Sequence, residues 1–218
     1  MSTFDIIFLG LILIALVITG RYATKREKKF SVSKEHFLSK YAFIENGTVY
    51  RGLHKHGFNL LSRTNGDYEI TNVISKLGDK EDFFIFDFLH TPKYTDKSTA
   101  TKQATLRAVF IQFKVKELYD FELIPENIFQ KIKQVFGATD IDFNEYKEFS
   151  KRYVLKGVNQ ALIRDRFPKS LVKTLEMKKD VCIEARKSCL LTYNLEEGEF
   201  ADYENLYKDA VLFNNCFR

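Results

Sequence analysis

The sequence predicts an α+β domain carried behind a single membrane-spanning helix, and three observations point that way. Residues 4–20 form an apolar run, three stretches rich in β-branched and aromatic residues begin at Tyr68, and helical periodicity dominates after them. Strands followed by helices, without regular βαβ alternation, indicate an antiparallel sheet packed with C-terminal helices. The chain accordingly divides into a transmembrane helix at 1–22, a basic juxtamembrane linker at 23–34 and one globular α+β domain at 35–218.

The first element reads FDIIFLGLILIALVITG from Phe4 to Gly20, with Asp5 its only charge. A helix of that length spans about 25 Å, short of the roughly 30 Å hydrocarbon core by an amount that local thinning or flanking residues make up. A cleaved signal peptide needs a basic stretch before the apolar run and small residues after it; MSTFD and ITGRYATKREKK supply neither. Instead Arg21, Lys25, Arg26, Lys28 and Lys29 form a basic collar against the single acid Glu27. Positive flanks remain on the cytoplasmic side, so the expected topology is single-pass, with the N-terminus outside and the domain in the cytoplasm at the cell membrane.

That collar also accounts for the net charge of +5. Of 34 basic and 29 acidic residues, six basic and two acidic ones lie in the first 34 positions, leaving 28 against 27 in residues 35–218. A near-neutral domain gives no electrostatic case for a nucleic-acid partner.

Within the domain, residues 31–42 suit a short helix, and Asn46-Gly47 and Asn65-Gly66 are turn signals. YEITNVISK, EDFFIFDFLH and QATLRAVFIQFKV read as an antiparallel meander. The polar connector TPKYTDKSTATK is long for a hairpin and is expected to be exposed and mobile. Pro125 is placed to open a helix whose apolar face is Ile128, Phe129, Ile132, Val135 and Phe136, and Gly137 to end it. NQALIRDRF and PKSLVKTLEMKK read as one helix restarted or kinked at Pro168. VCIEARKSCLLTY suggests a hairpin turning at Arg186 and Lys187, which puts Glu184 opposite Cys189 and makes Cys182 and Cys189 diagonal neighbours, reduced in a cytoplasmic domain. A terminal helix follows, with Phe200, Tyr203, Leu206, Tyr207, Ala210, Leu212 and Phe213 as its apolar side.

Candidate chemistry centres on three aspartates. Asp140, Asp142 and Asn144 match the first, third and fifth positions of a calcium loop, but Glu145 and Lys151 stand where glycine and a bidentate glutamate are required. A phosphatase-like DxD is equally poor, because Phe136, Gly137, Ala138 and Thr139 do not form a buried hydrophobic strand ahead of it. Simple alternation, with Ile141 and Phe143 inward, explains the stretch better. Asp87 interrupts an aromatic strand on the face of Phe83, Ile85 and Leu89, where a carboxylate must be paired, hydrogen-bonded or shifted in pKa. His54 and His56 share a strand face and His90 follows the aromatic strand, yet nearby glycines imply a surface loop and no metal is expected. Arg164, Arg166, Lys169, Lys173, Lys178 and Lys179 read as a solvated helix face. No phosphate loop, zinc-protease or hydrolase elbow motif occurs, and no cofactor is expected.

In order along the chain, NVI at 72–74, IFDF at 85–88, LIPENIFQKI at 123–132, DIDFN at 140–144, EFSKRYVLKG at 148–157 and the helix near LIRDRF resemble a family of uncharacterised bacterial proteins with an N-terminal membrane anchor and a cytoplasmic domain. The resemblance covers roughly residues 57–210 and carries no activity with it. It implies an anchored single domain. The expected function is non-catalytic binding, with the lipid bilayer and an unidentified protein as partners. The alternative is a membrane-tethered hydrolase using Asp87, Asp140 and Asp142 with a divalent metal, which requires those carboxylates to share a pocket. A third expectation is that the collar binds anionic lipid.

Overall fold

A computed structural model describes residues 33–45, 53, 55–62, 67–91, 104–127, 140–195 and 202–217. The chain forms two compact units, Met1–Phe43 and Ile44–Arg218. In the first, residues 33–41 are helical (α1), and the Phe37 ring packs on Tyr41 and Phe43 at 5.0 and 5.1 Å. The apolar run at 4–20 and the collar lie outside the described residues. Among the described residues no helix is long and apolar enough to cross a membrane.

The second unit is an α+β domain built on an eight-stranded antiparallel sheet. Its strands are β1 (Ile44–Glu45), β2 (Asp67–Lys76), β3 (Glu81–Thr91), β4 (Ala104–Phe113), β5 (Phe121–Pro125), β6 (Tyr153–Lys156), β7 (Val181–Arg186) and β8 (Cys189–Asn194). They lie in the order β1-β2-β3-β4-β8-β7-β5-β6, so the expected meander forms one half. The other half is inserted by way of the last hairpin. Among the described residues the helices of this unit are α2 (Asn59–Ser62), α3 (Lys147–Arg152), α4 (Gln160–Arg166), α5 (Lys169–Glu176) and α6 (Tyr203–Cys216).

Both faces of the sheet are covered, which is why Phe83 to Phe88 are buried without interruption. One face carries Phe84, Phe86, Phe88, Ala108, Phe110, Cys182, Leu191 and Tyr193 against Leu53, Phe58 and Leu60 from the segment 53–62. The other packs beneath α6, where Phe83 meets Tyr207 edge-on at 5.4 Å. Near β5, Phe121 packs on Phe167 and Phe217. Pro168 does break the helical run. Phe167 and Pro168 are both extended, so α4 and α5 are separate helices, and the Phe167 ring reaches Phe143 and Phe149.

Several expectations shift. Pro125 is the last residue of β5, paired with Tyr153, where its missing N–H is tolerated at a strand end; residues 126–127 are helical, and the apolar positions from Ile128 to Gly137 lie outside the described residues. The final hairpin turns at Lys187 and Ser188, not Arg186 and Lys187. Lys187 adopts a left-handed φ of 48° and its N–H donates to Asp120 Oδ1 at 2.9 Å. That one-residue difference puts Arg186 opposite Cys189, Glu184 opposite Leu191 and Cys182 opposite Tyr193, so the two thiols share a face without being neighbours. Leu212 is 42% exposed, and Asn214 is buried in α6. Asn46, Asn65, Phe200 and the connector at 92–102 lie outside the described residues.

Candidate functional site

Two clusters of buried polar groups occupy opposite faces of the sheet. On the α6 face, Asp87 of β3 stands directly opposite Arg107 of β4. The guanidinium grips the carboxylate with both forks, Nε to Oδ1 at 2.6 Å and Nη2 to Oδ2 at 3.1 Å, and both side chains are 1% exposed. Asn72 adds a third donor, Nδ2 to Oδ2 at 2.9 Å. It reaches there because β2 carries one extra residue between Thr71 and Ile74, a bulge in which Asn72 takes a left-handed φ of 51°. Over the pair lies Tyr203 of α6, its ring centroid 3.6 Å from Arg107 Cζ. Burial pushes the Tyr203 phenol up to about 12, with the Arg107 charge opposing. Asp87 thus has the face the sequence predicts, and both its oxygens are engaged by the fold.

The other two aspartates are elsewhere. Asp140 runs beside β6, accepting the Leu155 N–H on Oδ1 at 2.9 Å while Ile141 N–H donates to the Leu155 carbonyl at 2.8 Å. Together these two residues occupy the backbone groups at Leu155. Burial raises the Asp140 carboxyl above its ordinary value, the Leu155 hydrogen bond opposes this, and the Asp142 charge adds to it. Asp142 is exposed and contributes its carbonyl to Arg164 Nη1 at 2.7 Å. Ile141 is buried as alternation predicts. From β3 to β6 the sheet order takes five strand steps, a lateral separation of roughly 24 Å. The structure does not bring Asp87 to Asp140 and Asp142. Among the described residues no group of three or more His, Cys, Asp and Glu side chains is disposed to hold a metal ion.

The denser cluster, on the opposite face, is one that reading the sequence misses. Lys156, Glu122 and Glu184 form a row across β6, β5 and β7, each directly opposite the next. Glu184 is fully buried and accepts four hydrogen bonds: Asn59 N–H at 2.5 Å, Leu60 N–H at 2.9 Å, Tyr193 O–H at 3.1 Å and Arg186 Nη2 at 3.4 Å. The Asn59 side chain donates to Glu122 Oε2 at 2.6 Å. Two carboxylates facing each other across neighbouring strands therefore share Asn59 between them. Their chemistry is that of a clamp, fixing the start of α2 to the middle of the sheet.

Cys189 lies beside this clamp with its Sγ 3.4 Å from His56 Nδ1. Burial pushes the thiol up to about 11, and burial together with Lys55 lowers the imidazole, so near neutral pH both partners are uncharged. His90 is half-buried on β3 and also lowered by burial, and His54 lies outside the described residues. Of the basic residues, Arg164 binds the Asp142 carbonyl and Lys178 pairs with Asp209 at 2.7 Å. Comparison with protein-family models, curated proteins and solved structures finds no match to this chain.

Proposed function

We propose that this chain is a single-pass membrane-anchored protein whose cytoplasmic domain binds a protein partner and does no chemistry of its own. The observation that carries the reading is the use made of the buried carboxylates. Asp87 is taken up by Arg107 and Asn72 of the neighbouring strands, and Glu184 by the start of α2, Tyr193 and Arg186, so these buried carboxylates are engaged in holding the fold together. The apolar run at 4–20, the basic collar and the resemblance to anchored bacterial proteins support the membrane attachment.

The hydrolase alternative is weaker by the same geometry, because Asp87 on β3 and the Asp140 stretch beside β6 stand five strand steps apart. Reconstituted full-length protein is expected to leave phosphoesters and peptides intact. Turnover that disappears in Asp140→Asn or Asp142→Asn would overturn the non-catalytic reading. Topology is tested separately with a tag at each end and protease protection in sealed vesicles. Arg218 is expected on the cytoplasmic side, and its exposure on the outer side would sink that assignment.

A further inference from the structure

We propose that the end of the sheet formed by the β2–β3 turn and the exit from β4 rests on the bilayer surface, with Leu77 and Val115 as its lipid-facing side chains. The inference rests on the anchored reading above. Strand β1 is antiparallel to β2, with Ile44 opposite Ser75 and Glu45 opposite Ile74. The polypeptide therefore arrives at the domain from the end where β2 finishes at Lys76. Leu77 comes immediately after and is 61% exposed; Val115, just beyond the end of β4, is 84% exposed.

Lone exposed apolar residues are ordinary, but these two are on adjoining loops. Lys114 ties the loops together, Nζ to the Gly78 carbonyl at 2.6 Å and N–H to the Lys80 carbonyl at 3.0 Å. Ile44, also exposed, flanks them, and β1 to β4 are consecutive strands spanning about 14 Å. Lys80 on the rim has a long apolar stem that can lie along such a surface while its charge stays in water, and the Lys114 ammonium is held by the Gly78 carbonyl and Asp82. Asp79, Glu117 and Glu45 share that rim, so the contact is apolar insertion between headgroups and not attraction to anionic lipid. Val158 is exposed at the same end but beside β6, four strand steps and roughly 19 Å from β4. A few side chains bind lipid weakly. An anchor on the same chain supplies an effective concentration on the order of millimolar, which is enough to populate such a contact.

The test uses the full chain in phosphatidylcholine liposomes, in a Cys216→Ser background that leaves only the buried Cys182 and Cys189. An environment-sensitive fluorophore is placed at Leu77→Cys, Val115→Cys or, as reference, Met177→Cys, the last being exposed at the end of α5. Spin-labelled lipid is expected to quench the first two at least threefold more than the third, with no change when salt or anionic lipid is added. Equal quenching at all three positions would overturn the inference, as would quenching confined to anionic vesicles. Blue-shifted emission that grows with protein concentration but is not quenched by lipid would assign the surface to a second copy and overturn it too. An alkaline carbonate wash of the same liposomes separates the two levels. A retained chain with unquenched labels defeats this contact alone, whereas an extracted chain defeats the anchored reading and this contact with it.

Discussion

Asp87 and Glu184 are both carboxylates in the interior of one sheet, yet the two faces satisfy them by different means. Asp87 is met by a guanidinium from the neighbouring strand. Glu184 is met largely by peptide N–H groups at the start of α2, contributed by a segment 125 residues earlier in the chain. In the first case charge answers charge between strands that are already paired, and the pair is a property of the sheet. In the second the carboxylate joins the sheet to a separate piece of chain, and what depends on it is the attachment of that piece.

Breaking the first arrangement should cost most. Arg107→Met leaves a carboxylate buried without its cation and is expected to remove about 3–5 kcal/mol of stability, read from denaturant unfolding of the full chain in detergent. Adding Asp87→Leu should restore most of that loss, and failure to do so would mean that the Arg107 contact with Tyr203, not the ion pair, holds α6. Glu184→Gln should cost less, about 1–3 kcal/mol, because one acceptor oxygen survives. Its signature is local: limited proteolysis within 53–62 should accelerate, whereas Arg107→Met should leave that segment as resistant as before at equal fraction folded.

The bulge sharpens the comparison further. Asn72→Ala loses a hydrogen bond to Asp87 and sets alanine in a left-handed conformation that asparagine tolerates better, for about 1–2 kcal/mol, while Asn72→Gly loses the same bond, keeps the backbone at ease and should cost less. Equal losses would show that the hydrogen bond alone matters. Smallest of all is Asp140, whose folded-state pKa is raised chiefly by burial. A raised carboxyl makes the folded state hold its proton longer, so stability contributed by Asp140 is present at acid pH and is lost as pH climbs through the carboxylate range. Asp140→Asn should therefore equal the native chain at pH 3 and exceed it slightly at pH 7; the opposite slope would mean that the Leu155 hydrogen bond outweighs desolvation.

What was legible in the residues follows from how local each signal is. The meander β2-β3-β4 shows in β-branched and aromatic runs, and the face of Asp87 follows from alternation alone. Its partner does not, because which residue of β4 opposes it depends on a register that no single strand encodes. β5 and β6 escape notice for a different reason. FELIP ends in proline and YVLK is too short to alternate visibly, and each carries a charge, Glu122 or Lys156, that looks like solvent exposure until the strands are seen paired. The final hairpin is misplaced by one residue because Lys187, not a glycine or asparagine, takes the left-handed position. That slip displaces Glu184 from its true partner and conceals the clamp.

The strand order also bears on synthesis. β4 borders β8, so the edge of an aromatic meander completed at Phe113 waits for Cys189 to Asn194 before it is paired. At ribosomal rates the residues between them take roughly 4–15 s to be made, long compared with the microseconds in which a hairpin closes. Throughout that interval the nascent chain offers an open row of peptide groups beside Phe110, and its exposure to wrong partners is set by the speed of translation and not by the stability of the finished sheet.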